Sequence, residues 1–160
     1  MKAVKDFNIN SKISVNELTT QMFESGGFTA KNLGITVNVL EDMLKSENCL
    51  NFLSFPAAIV ATGTRGVLRD FIKRKWFNVI VTTCGTIDHD LARSFKNYYH
   101  GAFYVDDKEL RKKRINRLGN IFVPDSSYGI IIERKMFEIL EDLSSEGKNV
   151  LSTYELCWEI

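Results

Sequence analysis

The sequence predicts an α/β fold in which a parallel sheet is flanked by helices, with a helical segment in front of it. Two short apolar runs, 49–55 and 77–81, each end in a turn of small residues, and each turn leads into a stretch of helical periodicity. Strand, helix, strand, helix in that order is the βαβ pattern, whose ligands sit at the carboxyl ends of the strands.

The elements follow in order. Between residues 14 and 45, Val15, Leu18, Met22 and Phe23, then Leu33, Ile35, Val37, Val39, Leu40 and Leu44, recur mostly at three- and four-residue steps. Two helices broken at Gly26-Gly27 are expected, with Ser14 and Glu17 as a capping box and Thr29 or Asn32 capping the second. Residues 1–48 therefore form a helical segment and 49–160 a partial Rossmann-like domain. In the latter, the run 49–55 stops at Pro56, a residue suited to the first position of a helix. Ile59, Val60, Val67, Leu68, Phe71 and Ile72 then mark one helix over 57–75.

The run 77–81 is continuously apolar, as in a strand buried on both faces. It ends in TTCGT, and a helix opens near Asp88. A third run, 120–123, stops at Pro124-Asp125-Ser126-Ser127. After it, Ile131, Ile132, Met136, Ile139, Leu140 and Leu143 share one side of a helix that Gly147 closes. A last helix opens near Ser152 and is still in register at Ile160. Two or three parallel strands are fewer than the five or six usual in an open α/β sheet, so the sheet is expected to be incomplete, with one bare edge.

Composition narrows the function classes. A chain of 160 residues, 44% apolar and 11% aromatic, has the material for one sizeable core. Its 21 basic and 20 acidic residues leave a formal charge of +1, so no global field draws it to nucleic acid or anionic lipid. Cys49, Cys84 and Cys157 lie far apart without CxxC spacing or a histidine at metal-ligand distance in sequence, which suggests neither a disulfide framework nor a metal site. The N-terminus has no signal-peptide core, and no stretch approaches the roughly 18 apolar residues of a membrane span. A cytoplasmic protein is expected. The charge run 106–117, DDKELRKKRINR, lacks the aromatic interleaving of a nucleic-acid patch and reads instead as a solvated loop or subunit contact.

Candidate chemistry collects at the two turns. Thr82-Thr83-Cys84-Gly85-Thr86 offers a glycine for close backbone approach, hydroxyl donors and a helix N-terminus, which fits a phosphate or ribose site and equally an ordinary strand-to-helix turn. Asp88, His89 and Asp90 follow. One acidic side chain at a helix start serves as a cap, and the remaining charge calls for a partner or a ligand ammonium. Ala57, Ala58, Ala61, Thr62 and Gly63 at the first turn belong beside TTCGT at the same sheet edge. Tyr98-Tyr99-His100-Gly101 reads as a packed aromatic loop, and Trp76 and Trp158 as core or interface anchors.

Several longer motifs in order resemble deoxyhypusine synthase of the archaeal type: DFN at Asp6, GGF-A-N from Gly26, ATGTRGVLRDFIKRKW from Ala61, VIVTTCGTIDHDLAR from Val79, YYHGAF from Tyr98 and INRLGNIFVPDSSYG from Ile115. The resemblance implies a sirtuin-like, NAD-binding Rossmann variant and a cytoplasmic, tetramer-like hetero- or homo-oligomer. It also implies transfer of the aminobutyl group of spermidine to one lysine of the translation initiation factor 5A precursor. By motif, NAD contacts fall on Ala57, Ala58, Ile59, Val60, Ala61, Thr83, Cys84, Gly85 and His89, and spermidine contacts on Asp88 and His89.

Two departures stand out. Ala57 and Ala58 replace the serine and asparagine common in the family's first turn, leaving phosphate contacts to backbone amides. At His89 an imidazole replaces a carboxylate. Family members are also about twice as long, and the lysine that forms the imine intermediate lies in their second half. The expected function is thus the NAD-binding N-terminal part of such an enzyme, completed by a C-terminal chain that carries the lysine. A non-catalytic subunit that binds NAD and stabilises a synthase partner is the alternative, and a truncated form of a longer chain the third reading.

Overall fold

The computed structural model describes residues 1–160, and the chain divides into two units: Met1–Asn51 with Trp76–Val79, and Phe52–Lys75 with Ile80–Ile160. In the first, helices α1 (Val15–Glu24) and α2 (Phe28–Lys45) pack on each other. The Ser14 hydroxyl accepts from the Glu17 amide while the Glu17 carboxylate accepts from the Ser14 amide, which is the expected capping box. Gly26, at φ +71°, turns the chain in a conformation that glycine adopts at no steric cost. Helix α2 then starts at once, with Gly27 at its N-cap and no side-chain cap. Thr29 and Asn32 fall inside the helix and do not have the predicted capping role.

Buried Asn51 organises the rest of this unit. Its amide donates to the Asn78 side-chain oxygen at 2.8 Å, and its carbonyl accepts from the amides of Asn78 at 2.8 Å and Val79 at 3.2 Å. Its side-chain nitrogen donates to the carbonyls of Trp76 at 3.2 Å and Met43 at 3.4 Å, and buried polar groups paired in this way fix chain register as well as adding stability.

Strands β1 (Phe52–Phe55) and β2 (Val79–Thr82) form a two-stranded sheet. Asn78 donates to the Asn51 carbonyl and the Thr82 hydroxyl to the Phe55 carbonyl. Both pairs are offset by 27 residues, which sets the strands parallel, as a βαβ unit requires. The predicted helix over 57–75 is two pieces, a 3-10 turn at Ala57–Ala61 and helix α3 (Thr64–Lys73). The Thr62 hydroxyl causes the break: it donates to the Ile59 carbonyl at 2.6 Å and accepts from the Thr64 amide at 3.2 Å, so local side-chain bonds replace the helical ladder. Strand β2 is not buried on both faces. Val81 is 55% exposed, because only β1 flanks it.

Helix α4 (Gly85–Phe95) begins three residues ahead of Asp88. After it come β3 (Tyr99–His100), helix α5 (Asp107–Lys112), β4 (Ile115–Leu118) and β5 (Ile121–Pro124). The third apolar run is β5, and it lies antiparallel between β3 and β4 in a separate sheet, so the parallel sheet has two strands. Leu118 pairs with Ile121 across a two-residue turn, Gly119-Asn120, with Gly119 at φ +61° as a hairpin of this length demands. The charge run is not a loop throughout: its first half is a short helix and its last residues enter β4. Asp106 caps the helix, and Arg117 grips Asp107 with two bonds of 2.7 and 2.8 Å.

A 3-10 turn at Asp125–Ser127 leads into α6 (Gly129–Ser145), and Gly147, at φ +80°, ends it ahead of α7 (Thr153–Glu159). The core of this unit lies where the Ala57–Ala61 turn and α6 meet α4, with Val60, Ala61, Leu91, Ala92 and Ile131 buried. Trp158 stands 88% exposed and contributes nothing to the core. No helix is long and apolar enough to cross a membrane.

Gly34 reports on the α1–α2 contact. A Cβ at this buried position would lie 2.6 Å from the Phe23 Cβ and 2.8 Å from Phe23 backbone atoms. Gly34→Ala gains about 1 kcal/mol of helix propensity yet forces the two backbones apart, an overpacking cost of about 1–3 kcal/mol. Urea unfolding should show a net loss of stability, whereas a gain would mean that the helices do not approach so closely.

Candidate active site

The two strand ends bring their turns into contact. The Ala57 amide donates to the Thr83 hydroxyl at 3.2 Å. A Cβ built on Gly85 would lie 3.0 Å from the Ala57 Cβ, so the glycine lets the turns pack without either giving way. Ala57, Val60 and Ala61 are buried and Ile59 half-buried, while Ala58 is exposed, as are Thr83 and Cys84. From the first turn, the surface available to a ligand is therefore mainly Ala58 and main-chain atoms. The Ala57 amide is already taken by Thr83. The amides of Thr86 and Ile87 close on the carbonyls of Thr83 and Cys84 at 2.9 and 3.0 Å.

Arg93 ties the first turn down. One guanidinium nitrogen donates to the carbonyls of Val60 at 2.7 Å and Thr62 at 2.5 Å, and the guanidinium lies 5.8 Å from the centre of the Tyr98 ring. Removing it strands two acceptors in a half-buried setting. Arg93→Met should destabilise the chain by about 1–3 kcal/mol in urea unfolding; an unchanged midpoint would show that the two bonds do not hold the turn.

Asp88, His89 and Asp90 go to three different partners. Because α4 starts early, Asp88 does not cap it, and Cys84 occupies the N-cap without a side-chain bond. The Asp88 carboxylate instead accepts from the Tyr128 hydroxyl at 3.3 Å. His89 Nδ1 is hydrogen-bonded to the Tyr98 hydroxyl at 2.9 Å, with the Tyr128 ring 5.1 Å away. Asp90 pairs with Arg65, which also donates to the Ser94 hydroxyl at 2.7 Å.

Tyr98 and Tyr128 are the site residues that sequence reading missed. They lie 9 and 40 residues from their partners, spacings that no periodicity links. The YYHG motif was visible, but only the fold shows that its first tyrosine faces His89.

Burial dominates the electrostatics. It pushes the His89 pKa below its ordinary value; Asp88 opposes this and Arg93 adds to it. Burial likewise pushes the Tyr98 hydroxyl well above the usual tyrosine range, and Tyr128 is raised by burial and by Asp88. An unfolded imidazole titrates near pH ~6.5. Below that value the unfolded chain binds the proton more readily than the folded one, so the stability due to neutral His89 is complete above about pH 6.5 and is lost as pH falls through the folded value. The difference in unfolding free energy between the unchanged chain and His89→Gln should therefore fall on acidification from about pH 7.5 to 5.5. A difference that grows toward acid would mean that the fold favours the imidazolium.

A cleft of about 520 Å³ opens between α3 and α4, lined by Phe55, Val60, Leu68 and Ile72 with Arg65, Arg69 and Arg93. Val60 is its only residue in common with the predicted NAD positions, and it uses the Thr86, Asp90 and Arg93 side of α4, not the Asp88 and His89 side.

The family model of deoxyhypusine synthase matches residues 17–160. The chain belongs to the deoxyhypusine synthase family. A curated archaeal protein of Picrophilus torridus, described as a "probable deoxyhypusine synthase", is 48% identical over 157 residues, which cover 98% of this chain and 50% of that protein. One of Thermoplasma acidophilum with the same description is 45% identical over 159 residues, covering 99% of this chain and 51% of that protein. A crystal structure of an Entamoeba histolytica protein described with the same family name aligns with a TM-score of 0.45 at 25% identity, over 59% of this chain and 38% of that one. The chain thus spans about half the length of the curated synthases it matches, and both touching turns and the four residues Asp88, His89, Tyr98 and Tyr128 lie inside the family match.

Proposed function

We propose that the paired turns bind NAD and that the chain is the cofactor-binding part of a deoxyhypusine synthase. In this reading it acts in transfer of the aminobutyl group of spermidine to a lysine of the translation initiation factor 5A precursor. The observation that carries the proposal is the contact of the two turns through Ala57, Thr83 and Gly85, directly before a helix bearing Asp88 and His89. The β1–α3–β2–α4 order and the parallel pair of strands support a Rossmann-like reading of this region.

The donor set fits a dinucleotide. Exposed Thr83 supplies a hydroxyl, and Ala58 and the start of α4 offer main-chain groups without bulk. NAD, when bound, supplies the hydride acceptor for oxidation of spermidine. The chain's own residues orient and hold: Asp88, steadied by Tyr128, accepts from a ligand ammonium, and His89 stands beside it on the same helix turn.

The lysine that forms the imine intermediate, ahead of transfer to the precursor's lysine, belongs to a C-terminal chain that pairs with this one, in a tetramer-like oligomer. Exposed apolar residues on the sheet, Phe52, Ile80 and Val81, support such a covering partner. The alternative, a non-catalytic subunit that binds NAD and stabilises a synthase partner, draws support from the Ala57 amide, which bonds to Thr83 and so is not offered to a phosphate.

One mixing experiment separates the readings. The chain is combined with the second half of the Picrophilus torridus relative, produced separately, and NAD-dependent labelling of the factor precursor by radioactive spermidine is measured. The chain alone should transfer nothing and the mixture should label the precursor; labelling by the chain alone refutes the division, and NAD binding without labelling in the mixture favours the non-catalytic subunit. In the active mixture, Asp88→Asn should raise the KM for spermidine by about 10–100-fold, the worth of a charged hydrogen bond.

A further inference from the structure

His89 has one hydrogen-bond partner in the structure, the Tyr98 hydroxyl, 2.9 Å from Nδ1. Its ring meets Tyr98 nearly edge-on, at 5.7 Å and 85°, and lies tilted on Tyr128 at 5.1 Å and 35°. A neutral imidazole carries one donor nitrogen and one acceptor nitrogen, and the partner of one nitrogen decides the role of the other. Tyr98 decides it here. The phenol is half-buried and keeps its proton far above neutral pH, and Nδ1 is the acceptor within its reach. Were Nδ1 protonated, it would donate to the phenol oxygen, and the phenol proton would be left without an acceptor on the chain, a cost that half-buried hydroxyls avoid.

We infer that Tyr98 locks His89 in the tautomer with its proton on Nε2, so that His89 presents a hydrogen-bond donor, and no lone pair, to a ligand at the turns. Asp88 presents the opposite. As a carboxylate it only accepts, and Tyr128 occupies its Oδ2. The adjacent pair therefore sorts ligand chemistry. Ammonium groups, which only donate, go to Asp88; His89 takes an oxygen acceptor, a carbonyl or a hydroxyl, as an amide or ribose supplies. His89 is then a cofactor contact and not a spermidine contact, and it cannot remove a proton through Nε2. Tyr98 is a positioning residue that acts through the imidazole. Naming the two ligands rests on the function proposed above, whereas the tautomer is a property of the chain alone.

Long-range proton–nitrogen correlation on the 15N-histidine-labelled chain reads the tautomer directly at about pH 8, where imidazoles are neutral. The chain has two histidines, so a His100→Gln sample assigns the signals. The expected result is a protonated Nε2 and a hydrogen-bonded acceptor Nδ1, with the Nδ1 resonance moving to that of a free acceptor nitrogen in Tyr98→Phe. A protonated Nδ1 overturns the inference, as does an Nδ1 resonance that Tyr98→Phe leaves in place. Titration with NAD then tests the ligand assignment: His89→Gln, which keeps a donor, should bind within about threefold of the unchanged chain, and His89→Leu about tenfold more weakly. Equal affinity of the Leu and Gln variants overturns the assignment of His89 to an acceptor oxygen. Failure of the unchanged chain to bind NAD overturns the proposed function instead, and leaves the tautomer result to stand or fall on the spectra.

Discussion

The rest of the candidate site depends on the contact between Ala57 and the turn after β2. Two strands end side by side, and a side chain on the second turn would crowd the methyl that the first packs there. Gly85 avoids that crowding against Ala57, and the Thr83 hydroxyl then reaches the Ala57 amide. Once the turns are joined, the start of α4 is fixed at Gly85, and with it the direction of every later residue on that helix. Arg93, two helical turns on, reaches back to the Val60 and Thr62 carbonyls and closes the arrangement from the other side. A sequence that kept the Thr-Cys-Gly-Thr turn but enlarged residue 57 would lose this geometry.

Helix α4 serves three surroundings at once. Leu91 and Ala92 are in the core, Asp90 meets α3 through Arg65, and Asp88 and His89 face the tyrosines of two distant segments. The adjacency of Asp, His and Asp thus has a physical reason: successive positions on a helix point about 100° apart, so three neighbouring polar residues reach three separate partners. The charge that exceeds what a helix start requires is accounted for by Tyr128, Tyr98 and Arg65, and it confers a donor and an acceptor of fixed position beside the turns.

What could be read from the sequence was what is local. The Ser14–Glu17 box, the Gly26-Gly27 break, the two parallel strands and the Gly147 stop all follow from signals a few residues long. The adjacency of the two small-residue turns was legible too, because βαβ order dictates it. Where the sequence misled, longer-range or competing local bonds prevailed. Thr62 broke a helix that periodicity alone extended; Gly119-Asn120 carried a hairpin signal that the apolar run after it obscured; and the first half of the charge run folded into a helix that Asp106 caps. Tyr98 and Tyr128 were out of reach for a different reason: nothing in the spacing of residues 89, 98 and 128 records that the fold brings them together.

The central claim is that the touching turns, and not the cleft between α3 and α4, receive the dinucleotide. Backbone hydrogen exchange with and without saturating NAD tests it most directly. The account predicts slowed exchange in peptides that span residues 57–61 and 83–89, with little change over residues 65–73. Protection confined to residues 65–73, the α3 wall of the cleft, would contradict it.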